Sequence, residues 1–217
     1  MIKRNMMEEI ENTLLIVKEE IDKAKANGNY KQALEYINKQ LKGMVGIDID
    51  TINTISFSSV VDMISRDNGY NDEVYIALGS LLRYQGYIYQ NIGDKNLMFL
   101  YYTKSLQAFN QGLKKDNTVE GTYTDDMQAV LNEFGRYEIT VDEGKIILKS
   151  YELLNRFDKA EDTLYYLMNK YNKSDEVVLL GIDFYDRLKG IPEEELEKGN
   201  LPISEVNEAL EELENLG

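Results

Sequence analysis

Proline is absent from the first 191 residues of the chain and occurs only at Pro192 and Pro202. Proline is the one residue that both removes a helical hydrogen bond and clashes with the preceding turn, so nothing in this stretch forces a helix to stop. Apolar spacing then sets the class. Ile10, Leu14, Val17, Ile21 and Ala24 recur at intervals of four and three, which places them on one side of a helix over residues 3–26. The same period runs through Met98, Tyr102, Phe109 and Leu113, through Phe157, Ala160, Leu164, Leu167 and Tyr171, and through Val177, Gly181, Phe184 and Leu188. Residues 46–61 mix Ile47, Ile49, Ile52, Ile55 and Phe57 with Thr and Ser, a composition open to strand, and are read as two short helices.

The punctuation predicts antiparallel helix pairs. Asn27-Gly28-Asn29, Ile92-Gly93-Asp94 and Leu154-Asn155-Arg156 each separate two helical patterns, and Gly or Asn suits the left-handed residue that ends a helix. Such short connections place consecutive helices side by side. Pro192 with three following Glu opens one helical turn, and Pro202 opens a last helix that buries Ile203, Val206, Leu210 and Leu213.

Composition removes most chemistry. The 217 residues include no Cys and no His, which excludes disulfides, thiolate nucleophiles, cysteine or histidine metal sites and imidazole acid–base catalysis. A net charge of −15 disfavours nucleic acid and anionic membranes as partners, since both require clustered Lys and Arg. Residues 191–217 hold nine Glu and one Lys, so this tail carries −8 of that charge. The longest apolar runs fall far below the roughly 18 residues of a membrane span, and no charged-then-apolar leader follows Met1. A cytoplasmic protein is therefore expected.

Aligning the three turns exposes a repeat. Gly28, Tyr30, Ala33, Leu34, Ile37 and Leu41 follow the first turn; Leu82, Gly86, Tyr89, Gly93, Met98, Tyr102 and Ser105 surround the second; Tyr151, Asn155, Phe157, Ala160, Leu164 and Leu167 surround the third. Large, small and aromatic residues stand at the spacing of tetratricopeptide (TPR) packing positions, with Met98 where alanine is usual and Asn155 where glycine is usual. The anchors Gly28, Gly93 and Asn155 lie 65 and 62 residues apart, close to twice a period of about 34, so degenerate pairs are expected around residues 51–67 and 121–135. Residues 28–48, 81–94 and 156–167, with Gly181-Ile182-Asp183-Phe184-Tyr185-Asp186-Arg187-Leu188 and Leu196-Glu197-Lys198-Gly199-Asn200-Leu201-Pro202, resemble an uncharacterised bacterial family of TPR-like helical proteins. The resemblance implies a fold and no activity.

Candidate sites are weighed against ordinary readings. Glu8, Glu11, Glu19 and Asp22 resemble the carboxylate pairs that hold magnesium, but one helix supplies all four, opposite its apolar stripe, so they read as a solvated face. Asp48 and Asp50 lack the Gly and Glu of a calcium loop, and Asp48 reads as a helix cap. If the first helix of each repeat lines a concave face, Lys18, Arg83 and Lys145 share one register position, with Asp22, Tyr87 and Lys149 one turn on. Basic residues at three equivalent positions of an acidic chain point to an anionic ligand. The Glu-rich side of the last helix is expected near Arg83, Lys145 and Lys149, in the same molecule or across a dimer.

The reading is an all-α, TPR-like array of antiparallel helix pairs (an α-α superhelix) over residues 1–190, with acidic capping helices at 191–217 packed on the same domain. It is expected to bind protein or peptide or to support assembly, as monomer or homodimer. No catalytic residue, cofactor or metal ligand is assigned. The rival readings are a hydrolase or transferase using Glu, Lys and Tyr in a helical pocket, and a sensor of a small ligand or peptide.

Overall fold

A computed structural model describes residues 2–68, 72–113 and 122–216, and among them every regular element is helical. In chain order these are α1 (Ile2–Asn27), α2 (Lys31–Gln40), a π-helical turn (Leu41–Val45), α3 (Ile49–Thr54), α4 (Phe57–Asn68), α5 (Asp72–Ile92) and α6 (Lys95–Gly112). They continue with α7 (Thr122–Phe134), α8 (Val141–Leu153), α9 (Phe157–Lys170), α10 (Asp175–Leu188), α11 (Glu193–Lys198) and α12 (Ile203–Glu214). The chain forms two compact units, residues 1–132 and 133–217, the division falling inside α7. The expected capping segment 191–217 lies within the second. No described helix is long and apolar enough to cross a membrane.

In the first unit, the α1 stripe Ile10, Leu14, Val17, Ile21 and Ala24 is buried as its period requires. Gly28 at φ 66° ends the helix, and the Asn29 amide donates back to the Ala24 carbonyl at 3.2 Å, so the chain reverses into α2. Ala33 and Ile37 of α2 are buried, and α5 packs against both α1 and α2. The continuous buried run from Val74 to Leu82 shows that α5 is enclosed on all sides. Its partner is α6. Gly79 meets Phe109, Gly86 meets Tyr102 and Gly112 meets Ile76, positions that rise on one helix as they fall on the other, the register of an antiparallel pair.

Residues 46–61 contain α3 and the start of α4, the two short helices their composition left open. Asp48 caps α3, accepting from the Thr51 amide at 2.9 Å. At the other end the buried Lys104 ammonium of α6 donates to the carbonyls of Ile52 and Ile55, supplying cation and donors where a helix end carries free carbonyls. Over residues 121–135 the expected pair is absent: the described residues there form the single helix α7.

The second unit is built on the α8/α9 pair, turned at Asn155 (φ 52°). α10 packs on α9 and α12 on α10. Gly181 lets α12 approach, since a Cβ there would stand 2.5 Å from Leu213. Between α11 and α12 the chain lies on the start of α9: the Asp158 amide donates to the Gly199 carbonyl at 3.1 Å, Leu196 and Leu201 are fully buried, and a Cβ at Gly199 would collide with Phe157.

Candidate functional site

Ser80, Arg83, Tyr84 and Tyr87 fall at intervals of three, one and three, a single stripe of α5. Facing that stripe are Lys18 and Lys25 from α1 and Asp126 from α7, and Tyr123 stands one turn before Asp126 on α7. The Arg83 guanidinium pairs with the Asp126 carboxylate (Nη1 to Oδ1, 3.0 Å), whose side chain is only 5% exposed. Arg83 also lies over the Tyr84 ring, Cζ 4.7 Å from its centroid, and Lys18 Nζ stands 6.0 Å from the same ring. One turn further, Lys25 Nζ donates to the Tyr87 hydroxyl at 2.5 Å and sits 5.0 Å from that ring's centroid. The strip thus alternates cations with aromatic faces and holds one internal carboxylate.

Electrostatics explain the protonation behaviour of this cluster. Burial raises the Asp126 pKa, while the positive charges of Arg83 and then Lys18 hold the rise back. Burial likewise pushes the Tyr123 phenol up to about 12, helped by the negative Glu11, Asp126 and Glu73. The Tyr87 hydroxyl raises the pKa of Lys25 by accepting its proton in a hydrogen bond. Asp126 Oδ2, Ser80 Oγ and the hydroxyls of Tyr84 and Tyr123 are all buried and find no hydrogen-bond partner among the described residues. Ser80 is near enough to favour the charged Asp126 carboxylate, yet outside bonding geometry. Chemically the strip does one thing: it encloses a carboxylate among cations and ring faces at low dielectric, where each attraction is worth more than in water.

Of the residues expected to line a groove, Lys18, Arg83 and Tyr87 come together in the first unit. Lys145 and Lys149 belong to α8 in the second. There Lys145 pairs with Glu176 at 2.7 Å and Asp142 at 3.4 Å, and Lys149 lies 3.9 Å from Glu152. Glu152 is nine-tenths buried and is held by Arg187 through two bonds, at 3.1 and 2.6 Å. Within the chain no glutamate of α12 pairs with Lys145 or Lys149: Glu205 and Glu212 lie beside Glu161 and Tyr165 of α9. Glu8, Glu11, Glu19 and Asp22 stand exposed along α1, and among the described residues no group of three or more potential ligands could hold a metal ion.

Sequence reasoning missed Ser80, Tyr84, Lys25, Tyr123 and Asp126. Extending the α5 register back from Arg83 and Tyr87 would have found Ser80 and Tyr84. Nothing in Tyr123-Thr124-Asp125-Asp126 separates the buried aspartate from its exposed neighbour.

These features define an all-helical protein whose first unit carries a cation–aromatic strip around a buried carboxylate. The chain belongs to a family of unknown function, DUF6483, which it matches over residues 1–216. No curated protein and no solved structure matches it.

Proposed function

We propose that this protein is a TPR-like module that binds a protein or peptide, using the α1/α5 strip to take carboxylate side chains of its partner. The observation that carries the reading is the Arg83–Asp126 pair over Tyr84, continued by the more accessible Lys25 and Tyr87. The chain's own aspartate occupies one position, and the adjoining cation–aromatic pair offers the same chemistry to an acidic segment. Support for the TPR-like arrangement comes from α5, which packs on both members of the α1/α2 pair as the first helix of a following repeat would, and from Gly86 beneath Tyr102 at the small and aromatic positions. A homodimer and a cytoplasmic setting belong to the same reading.

The test is binding of the full chain to a short fluorescent peptide alternating Glu and Tyr, followed by anisotropy. Lys25→Glu and Tyr87→Ala should each weaken it by several-fold, the charge reversal losing its effect in high salt. Binding indifferent to both substitutions overturns the assignment. The elevated pKa values of Asp126 and Tyr123 favour one alternative, a proton-transfer enzyme, because perturbed acids gather at active sites as well as in ion-pair networks. Turnover of a substrate abolished by Tyr123→Phe with the fold intact would decide for it.

A further inference from the structure

The second unit carries the reverse electrostatic pattern. An open cleft of about 150 Å³ is lined by Glu161 and Tyr165 of α9 and by Glu205, Glu208, Ala209 and Glu212 of α12. It adjoins a smaller hollow of about 60 Å³, where Met168, Leu213 and Leu216 join Tyr165, Ala209 and Glu212, with Asn169 and the single cation Lys173 on its α9 side. Glu205, Glu208 and Glu212 stand at intervals of three and four, so a single stripe of α12 aims three carboxylates at one side of the cleft. The fourth, Glu161, is fixed on the opposite wall by the buried Tyr185 hydroxyl, which donates to its Oε1 at 2.7 Å. None of the four pairs with a cation among the described residues, whereas Glu152 and Asp158 of the same unit each do. Burial raises the Glu161 pKa, and the nearby negative charge of Glu205 adds to the rise. At the cleft's edge Tyr165 is 46% exposed and Leu216 51% exposed, and Ala209 keeps the floor between the glutamates low.

We propose that the α9/α12 cleft is a docking surface for a basic segment of a partner protein, with Lys or Arg side chains between the glutamate walls and an apolar side chain over Ala209 against Tyr165 and Leu216. Charge complementarity identifies the occupant. Four carboxylates without a cation partner, beside Ala209 and Tyr165, repel an acidic segment, offer a neutral one no Coulomb attraction, and attract one that alternates cationic and apolar side chains. As the occupant of this cleft a second copy of this chain is disfavoured, since a molecule carrying −15 is repelled by four carboxylates; the homodimer of the proposed function would use another face. This surface is separate from the α1/α5 strip and opposite to it in charge, so either assignment can fail while the other stands.

The probe is a short fluorescein-labelled peptide alternating Lys and Leu, titrated against the full chain by anisotropy at low and at physiological salt. Combined Glu205→Gln, Glu208→Gln and Glu212→Gln substitution should weaken binding by about tenfold at low salt, with the difference shrinking as salt screens it. These side chains are exposed and Gln keeps helix propensity, so the fold should survive, as circular dichroism would verify. Ala209→Phe should also weaken binding, by filling the cleft without altering charge. Replacing the exposed Glu193, Glu195 and Glu197 of α11 by Gln removes the same charge elsewhere and should leave affinity within about twofold. Equal losses from the α11 and α12 sets would mean attraction to bulk charge alone and overturn the proposal. Wild-type affinity in Ala209→Phe would overturn it as well, as would light scattering that shows a dimer dissociated by the α12 substitutions.

Discussion

The ring of Tyr102 lies directly on the α5 backbone at Gly86, so close that a Cβ there would stand 2.5 Å from Cδ1. The Tyr102 hydroxyl is tied down as well, donating to Gln90 Oε1 at 3.0 Å, so the ring cannot swing aside freely. Gly86→Ala is therefore expected to overpack the α5/α6 contact and cost about 1–3 kcal/mol, even though alanine is the better helix former. Gly43→Ala is the control: nothing lies within 4 Å of a Cβ placed there, and the expected effect is neutral or stabilising by up to about 1 kcal/mol. Urea midpoints of the two variants check this. A Gly86→Ala protein as stable as wild type would show that the two helices are not pressed together at this point.

A second expectation concerns Lys104. Its ammonium is buried, serves the Ile52 and Ile55 carbonyls, and has a pKa lowered by desolvation from the ordinary 10.5. Lys104→Met keeps the length of the chain but leaves those carbonyls without their donor, which should cost about 1–3 kcal/mol. The pH dependence has a definite sign. Between the lowered folded value and 10.5 the unfolded chain binds more protons than the folded one, so this group makes stability rise with pH there. Denaturation of wild type and Lys104→Met at neutral and alkaline pH should show the destabilisation by Met growing as pH rises through that window.

How far the sequence is legible follows from the range of each interaction. The α1 stripe from Ile10 to Ala24 could be read because one helix's period determines it, and Asn155 could be read as a turn because its left-handed backbone is a local property. The segment from Leu196 to Pro202 stood out in the sequence, and the structure gives a reason: Leu196, Gly199 and Leu201 fit against Phe157, where little else would. Lys18 and Arg83 were found through repeat register, and the contact of α1 with α5 brings both to Tyr84. That same register also selected Lys145 and Lys149, which belong to the other unit and have acidic neighbours of their own. Asp126 was illegible because its charge partners, Arg83 and Lys18, lie more than forty residues away, and no local pattern encodes such partners.

A third expectation concerns the Glu152–Arg187 pair. Arg187 is partly exposed while Glu152 is nine-tenths buried, so removing either partner has unequal consequences. Arg187→Met leaves a buried carboxylate without its two donors, and Lys149 at 3.9 Å compensates only in part. Glu152→Gln leaves a guanidinium that can turn to water. Arg187→Met should therefore be the more damaging, by about 1–2 kcal/mol after allowance for solvent screening. Thermal denaturation of both single variants and the double variant supplies the comparison, and equal losses in the single variants would show that the pair is solvated.

The last expectation separates Asp126 from the many other acids of the chain. Its folded pKa lies above the ordinary 3.8, chiefly because burial disfavours the charged carboxylate, with Arg83 and Lys18 offsetting part of that cost. Between 3.8 and the higher folded value, the native state therefore binds more protons than the unfolded state. By linkage, stability contributed by this group is present below 3.8 and falls as pH rises through the folded pKa, the reverse of an ordinary salt-bridged carboxylate. Asp126→Asn removes the titration while keeping the shape. It also removes the partner of Arg83, but that side chain is 21% exposed and retains the Tyr84 ring, so the loss is a roughly constant offset. The stability of Asp126→Asn relative to wild type should then improve as pH increases from the ordinary 3.8 through the raised folded value. Parallel urea titrations across that range give the comparison, and using the difference between the two proteins cancels the acids they share. A difference that stays flat, or moves in the variant's disfavour with increasing pH, would show that Arg83 and Lys18 outweigh burial and that the strip holds Asp126 as a stable anion. In that event Arg83→Met should be the most destabilising single substitution in the cluster at neutral pH, since it would strand that anion in the interior.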